Sequence, residues 1–130
     1  MAKAEGRVID FVGPEHIESG LLETFPYQGP RQTVTYVSEE FSAVCPFSGL
    51  PDVGKVEIQY VPKTKIVELK SLKYYFISYR DVGIYQEHAT AQIYQDLFKA
   101  LDPQELIVSM LYKTRGGIDT TTRISSRELV

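Results

Sequence analysis

Two runs of alternating polar and apolar residues, 32–37 and 55–62, constrain this chain more than anything else in it. A period of two puts every second side chain on the same face of an extended backbone. Each run therefore reads as a strand with one buried face. β-Branched side chains at Thr33, Val34, Thr35 and Val37 favour the same reading of the first run. The two strands are expected to pair antiparallel, which sets whatever joins them near one end of a sheet. Residues 39–44 lead away from the first run, either as a continuation of the strand or as a bent connection.

What joins the strands is Cys45-Pro46-Phe47-Ser48-Gly49-Leu50-Pro51-Asp52. It holds the sole cysteine of the chain and, seven positions later, a carboxylate. Pro46, Gly49 and Pro51 predict a tight, stiff loop rather than the interior of a helix or strand. Such a loop is able to fold Asp52 back beside Cys45. A thiol becomes a useful nucleophile only when a neighbour helps it lose its proton or manages protons in the next step. A lone thiol is more commonly a small buried hydrophobe, and the spacing alone leaves both readings open.

The remaining elements follow from the same periodicities. Residues 1–30 are punctuated by Pro14, Gly20, Pro26, Gly29 and Pro30, which predicts an N-terminal arm, extended or with a few short turns. Its apolar cluster at 20–25 has two destinations open to it, the domain itself or a neighbouring subunit. His16 in this arm reads as an exposed polar residue. After the second strand the chain starts extended, and from about Ser71 it reads as a helix, with Leu72, Tyr75, Phe76 and Tyr79 at helical spacing. Residues 85–101 read as a second helix with Ala89, Ile93 and Leu97 in its apolar stripe, closed by Asp102 and Pro103. Residues 106–113 and 118–124 read as two further strands, separated by Thr114-Arg115-Gly116-Gly117. The order ββααββ predicts an α+β domain, with an antiparallel sheet and two helices on one face, over residues 31–130.

Composition narrows the function. The 130 residues suit one domain, and a net charge of −3 argues against a general binder of phosphate backbones. One cysteine excludes an internal disulfide framework and multi-cysteine zinc sites, and two histidines offer little else for a metal. No apolar run is long enough to span a membrane and no signal-peptide core is visible, so a cytoplasmic protein is expected. Lys63, Lys65, Lys70 and Lys73 cluster, and Arg115 comes later beside two glycines. These suit either a phosphorylated ligand or an ordinary solvated face. Glu87 at a helix start is favourable on dipole grounds alone; its other reading is an acceptor for a purine-like edge. His88 is either a proton shuttle or a partly buried helix residue.

Three pieces of the chain resemble the unimodular QueF family of nitrile reductases. They are the Cys45-Pro46 … Gly49-x-Pro51-Asp52 loop, the stretch Glu68-Leu69-Lys70-Ser71-Leu72-Lys73-Tyr74-Tyr75, and Glu87 with Arg115-Gly116-Gly117 in matching order. The likeness runs from about residue 30 to residue 124. It implies the tunnelling fold (T-fold), whose protomers close a β-barrel as a pentamer and stack into a decamer, with active sites between subunits. It implies NADPH as cofactor and 7-cyano-7-deazaguanine as substrate, in the biosynthesis of queuosine for tRNA. By the same resemblance Cys45 attacks the nitrile to form a thioimide and Asp52 handles protons. Val67, Glu68, Leu69, Gln86 and Glu87 would line the substrate pocket. Leu69, Lys70, Lys73, Arg115 and Gly116 would meet NADPH, with no metal required. One position departs from the pattern: many members have His before the Glu, whereas here Gln86 precedes Glu87 and His88 follows it. Two other readings stay open, an amidinotransferase making archaeosine from the same nitrile within tRNA, and a non-catalytic purine- or pterin-binding protein of the same fold.

Overall fold

The computed structural model describes residues 9–127; the first eight residues of the predicted arm and residues 128–130 lie outside this range. Strands β1 (Thr24–Pro26), β2 (Val34–Val44), β3 (Pro51–Val61) and β4 (Lys65–Val67) precede helices α1 (Leu69–Ile77) and α2 (Gln86–Leu101). Strands β5 (Glu105–Arg115) and β6 (Ile118–Ser125) follow. Four strands form an antiparallel sheet in the order β2-β3-β5-β6, while β1 and β4 pair separately. The ββααββ order is present, with a small extra pair built from the N-terminal segment.

Period-two burial organises the core. On β3 every second residue from Asp52 through Gly54, Val56, Ile58 and Tyr60 is buried. Leu72, Tyr75 and Phe76 of α1, and Ala89, Ile93, Leu97 and Leu101 of α2, join the same apolar cluster. Phe41 ties the outer strand β2 to α1, its ring 6.1 Å from that of Phe76 and 5.3 Å from that of Tyr79.

Several boundaries differ from the sequence reading, each for a local reason. Strand β2 continues to Val44, with a shift in register between Ser38 and Phe41, so residues 39–44 are strand and not a bent connection. Strand β3 begins at Pro51, four residues before the predicted start, because proline is tolerated at the first position of a strand. Asp52 is therefore a strand residue opposite Ala43, and the loop proper is residues 45–50. Helix α1 starts at Leu69 and not near Ser71. The Glu68 carboxylate caps it, accepting from the N–H groups of Lys70 at 3.0 Å and Ser71 at 2.6 Å. Helix α2 ends on Asp102 in the left-handed region (φ 42°), and Pro103 follows.

The N-terminal segment is fastened to its own domain. Ile17 is buried, Ser19 Oγ donates to Asp96 Oδ2 at 2.7 Å, and the N–H of Glu18 donates to Ser78 Oγ at 3.1 Å. The N–H of Glu23 donates to Ser71 Oγ at 3.0 Å, and Thr24 then pairs with Val67. His16 is exposed, with Nε2 3.8 Å from Glu15. Among the described residues no helix is long and apolar enough to cross a membrane.

One buried polar network closes this side of the core. Tyr75 Oη donates to Asp96 Oδ2 at 2.6 Å and lies 2.8 Å from Tyr79 Oη, while Gln92 Nε2 donates to Asp96 at 3.0 Å. Tyr75 and Tyr79 are fully buried. Tyr75→Phe would leave the Tyr79 hydroxyl without this neighbour and remove a donor from Asp96. Such a change is expected to lower stability by about 1–3 kcal/mol, read as a fall in the urea midpoint at unchanged slope.

Candidate active site

The loop after β2 is shaped by its own backbone. The Cys45 carbonyl accepts from the Gly49 N–H at 2.7 Å, and the Cys45 N–H donates to the Leu50 carbonyl at 2.9 Å. Gly49 sits at φ 72°, and a Cβ there would lie 2.6 Å from the Ile9 carbonyl oxygen, so any other residue would be both strained and crowded. Val44 is held on its far side by the segment before α2: its N–H donates to Val82 at 3.0 Å and its carbonyl accepts from Ile84 at 3.1 Å. These bonds fix where the thiol emerges.

The Cys45 thiol is lowered from 9.0 to about 7. The Ser48 backbone N–H contributes most; burial opposes it. The Phe47 N–H, the Ser48 hydroxyl and the Arg115 guanidinium add to the lowering. Each donor stabilises the thiolate and none stabilises the thiol, which is how a loop activates a cysteine.

Asp52 stands beside this loop with its side chain only 4% exposed. Extending the buried row of β3 back from Val56 through Gly54 aims it inward. Two groups meet its Oδ1: Arg115 Nη1 donates at 2.5 Å and Gln86 Nε2 at 3.3 Å. Arg115 reaches Asp52 from the end of β5, where the register shifts between Tyr112 and Arg115. Gly116 (φ 58°) and Gly117 (φ 77°) then make the two-residue turn into β6. Gln86 is the first residue of α2; its carbonyl accepts from Thr90 Oγ1 at 3.0 Å and from Tyr112 Oη at 3.5 Å. Glu87 is exposed beside it in the first turn. Burial raises the Tyr112 hydroxyl pKa, and the charges of Asp52 and Glu87 raise it further. His88 is exposed one position on, its ring 6.0 Å from that of Tyr85.

Cys45, Asp52, Gln86, Glu87, Arg115 and Gly116 thus share one end of the sheet. Val67, Glu68, Leu69, Lys70 and Lys73 do not join them. The N–H of Val67 donates to Tyr60 Oη at 3.1 Å, and Tyr60 is eight residues along β3 from Asp52, about 26 Å at the usual strand rise. The Val67 side chain is buried in the core. The Glu68 carboxylate caps α1, and the N–H groups of Ser71 and Lys70 hold it below the usual carboxylate range. Leu69, Lys70 and Lys73 are exposed on α1. The grouping of Arg115 with the lysines is therefore not realised within one chain, because Arg115 is engaged with Asp52. Lys63 is also drawn aside, 3.9 Å from Asp102. Among the described residues no group of three or more His, Cys, Asp or Glu side chains gathers to hold a metal.

Sequence reasoning missed Ser48 and Tyr112. Ser48 was readable only as loop filler. Tyr112 lies on the buried row of β5 with Leu106, Val108 and Met110, which the alternation of that strand did signal.

Comparison with known proteins covers nearly the whole chain. The family described as QueF-like protein matches residues 51–129. The chain is 54% identical over 129 residues to the NADPH-dependent 7-cyano-7-deazaguanine reductase of Thermotoga maritima, covering 98% of this chain and 94% of that protein. It is 50% identical over 120 residues to the reductase of the same name from Caldicellulosiruptor bescii, covering 91% and 92%. Among solved structures, the archaeosine synthase QueF-Like in its apo form matches with a TM-score of 0.68 at 19% identity, over 79% of this chain and all of that one. At that identity the match establishes a shared fold.

Because Cys45 is the sole cysteine, alkylation reports on it alone. Iodoacetamide labelling of the native protein is expected to rise with pH through a midpoint near 7 and to level off above it. Intact mass against pH provides the reading. A midpoint near 9 would mean that the loop donors do not act on the sulfur.

Proposed function

The chain belongs to the QueF family, and we propose that it is an NADPH-dependent nitrile reductase, converting 7-cyano-7-deazaguanine to 7-aminomethyl-7-deazaguanine in queuosine biosynthesis. The observation that carries this reading is one ionisable thiol held beside one buried carboxylate at the end of a rigid sheet. The identity of about half of all positions to named reductases supports the same conclusion.

The chemistry follows from the groups present. The Cys45 thiolate attacks the nitrile carbon, a C–S bond forms, and the nitrile nitrogen takes up a proton to give a thioimide. Asp52 is positioned to manage that proton and those of the later steps. Bound NADPH supplies hydride, two per nitrile. After the first hydride has reached carbon the Cys45 sulfur leaves as thiolate, the C–S bond pair going to sulfur while the nitrogen lone pair forms the C=N bond of an imine, and the second hydride reduces that imine to the amine. Gln86 beside Asp52 is a neutral amide, so its part is hydrogen bonding and not proton transfer. Glu87, exposed at the start of α2, offers a carboxylate to the amino and ring N–H donors of the base.

The residues proposed for the cofactor fit a phosphorylated dinucleotide. Lys73 and Arg80 line a groove of about 660 Å³ whose apolar floor includes Leu72 and Phe76, with the carboxylates of Glu39 and Glu40 also on its lining. Lys70 lies beside it on α1, its Nζ 5.9 Å from the centre of the Tyr74 ring. Their partners Arg115 and Gly116 stand at the other end of the sheet, and Glu68 and Leu69 stand far from Cys45. This separation supports active sites shared between subunits. The sheet supports the same arrangement: β2 and β6 are its outer strands, each with one strand neighbour. In the proposed ring β2 of one copy pairs with β6 of the next, closing a barrel as a pentamer, and two pentamers stack into a decamer. The proposed setting is the cytoplasm, where a catalytic thiol stays reduced.

Purified protein given free nitrile and NADPH is expected to oxidise two NADPH for each aminomethyl product, followed by absorbance and mass spectrometry. A stable thioimide without NADPH oxidation would move the reading to the archaeosine-forming transferase. Cys45→Ala is expected to form no adduct; an adduct mass in that variant would remove the mechanism. Lys70→Ala is expected to raise the KM for NADPH roughly tenfold, the loss of one charge-assisted contact, with a smaller effect on the nitrile. An unchanged KM for NADPH would release Lys70 from the cofactor site.

A further inference from the structure

Residues 9–12 run along the outside of the loop that carries Cys45. The Val12 N–H donates to the Asp81 carbonyl at 2.8 Å, and the Val12 carbonyl accepts from the Gly83 N–H at 2.8 Å. The opposite edge of the same stretch holds Val44, the residue before Cys45: Val44 donates to Val82 at 3.0 Å and accepts from Ile84 at 3.1 Å. Residues 81–84 are thus the middle row of a short parallel ladder, with Val12 on one side and Val44 on the other. Phe11 ties the same pieces together through its ring. A Cβ at Gly83 would overlap that ring at Cδ2 and Cε2, and a Cβ at Gly49 would lie 3.4 Å from its Cδ1. The ring therefore packs on backbone at both glycines, Gly49 inside the Cys45 loop and Gly83 just ahead of Gln86. We infer that Phe11 is a positioning residue for the nucleophile: with Val12 it straps the Cys45 loop to the segment leading into α2, fixing Cys45 relative to Gln86 and Glu87.

The surroundings favour this role. Gly83 has no positive φ, so the ring, and not the backbone conformation, excludes a side chain there. Gly49 and Gly83 are both buried, whereas Phe47 and Leu50, the loop's own apolar side chains, are exposed and do not anchor it. Phe11 lies outside the apolar core and is 39% exposed, so its contacts serve the two glycines and not the core. A short loop with no apolar side chain turned inward opens at small cost unless something packs on it. Opening would take the Ser48 and Phe47 N–H groups away from the sulfur they face.

This inference rests on reading Cys45 as the nucleophile, and its test needs neither nitrile nor NADPH. In full-length Phe11→Ala, amide hydrogen exchange in peptides covering residues 45–50 is expected to rise about tenfold, with exchange in β3 and β5 unchanged. The iodoacetamide midpoint of Cys45 is expected to rise by about one pH unit, which cuts labelling at pH 7 about fivefold. Phe11→Leu, which keeps an apolar contact, is expected to recover most of both changes. The ionisable groups around the loop are Asp10 of the strap, Asp52 of β3, Asp81 before α2, Glu87 and His88 in its first turn, and Arg115 of β5. All are kept in these variants, so a moved midpoint reports the loop's own donors. Native exchange in Phe11→Ala would overturn the inference. So would a native midpoint, because the strap would then hold the loop without serving the sulfur. Should Phe11→Ala lose its far-UV circular dichroism, Gly83→Ala decides, since its Cβ displaces the ring: a native midpoint there overturns the inference. Thioimide formation by native protein is measured in parallel. Its absence would defeat the reductase reading, while an intact adduct beside unmoved exchange and midpoint in Phe11→Ala would defeat this inference and leave that reading standing.

Discussion

The alternation of β3 is the constraint on which the rest depends. Its inward row runs Asp52, Gly54, Val56, Ile58, Tyr60. Four of these five suit the core; the first is a carboxylate. Burying an ionised carboxylate without a partner costs several kcal/mol, more than a small domain readily tolerates. The structure meets that demand from two directions: the end of β5 through Arg115 and the start of α2 through Gln86. The requirement of one buried charge thus gathers the groups that make the site. At the far end of the same row, Tyr60 holds Val67 and with it the start of α1.

Much of this was legible from periodicity, and what was not has physical causes. The two alternating runs, the helical stripes of α1 and α2, and the last two strands were readable because burial on one face leaves a repeating mark. The start of β3 was hidden because Pro51 and Gly54 look like loop residues, although both are compatible with a strand at its first position or beneath a close neighbour. A Cβ at Gly54 would lie 3.0 Å from the Leu111 carbonyl oxygen, so the glycine marks close strand packing. The cap on α1 was hidden because Glu68 already had a reading as a ligand group. The contact between Arg115 and Asp52 joins residues 63 positions apart, and no local pattern encodes such a pair. The likeness to a known family supplied the candidate residues, but not which of them meet within one chain.

That partition organises the proposed assembly. One protomer carries thiol, carboxylate and the Glu87 acceptor at one end of its sheet, and the α1 lysines near the other. Neither half is a complete site for a nitrile and a dinucleotide together. Four of the exposed apolar side chains follow the same division. Phe47 is 91% exposed next to Cys45, Ile118 is 67% exposed at the turn beside Arg115, and Leu69 is 55% exposed at the start of α1. Val37 lies open on the outer strand β2. Large apolar groups clustered at functional edges mark contact surfaces more often than ordinary solvent-facing positions. Each of these four stands where the proposed ring would bring a second copy: at the two halves of the site or along an outer strand.

A site divided in this way also gives Arg115 a reason to be shared. In the protomer its guanidinium is committed to Asp52, while more than two-fifths of its side chain remains open. A cation so placed can hold the resting carboxylate and still, in the proposed ring, meet a phosphate held by the neighbouring copy's lysines. In the proposed reaction the sulfur is needed as its anion for attack on the nitrile, and the nitrogen needs protons at that step and again as its carbon is reduced, so the cation that holds Asp52 bears on both.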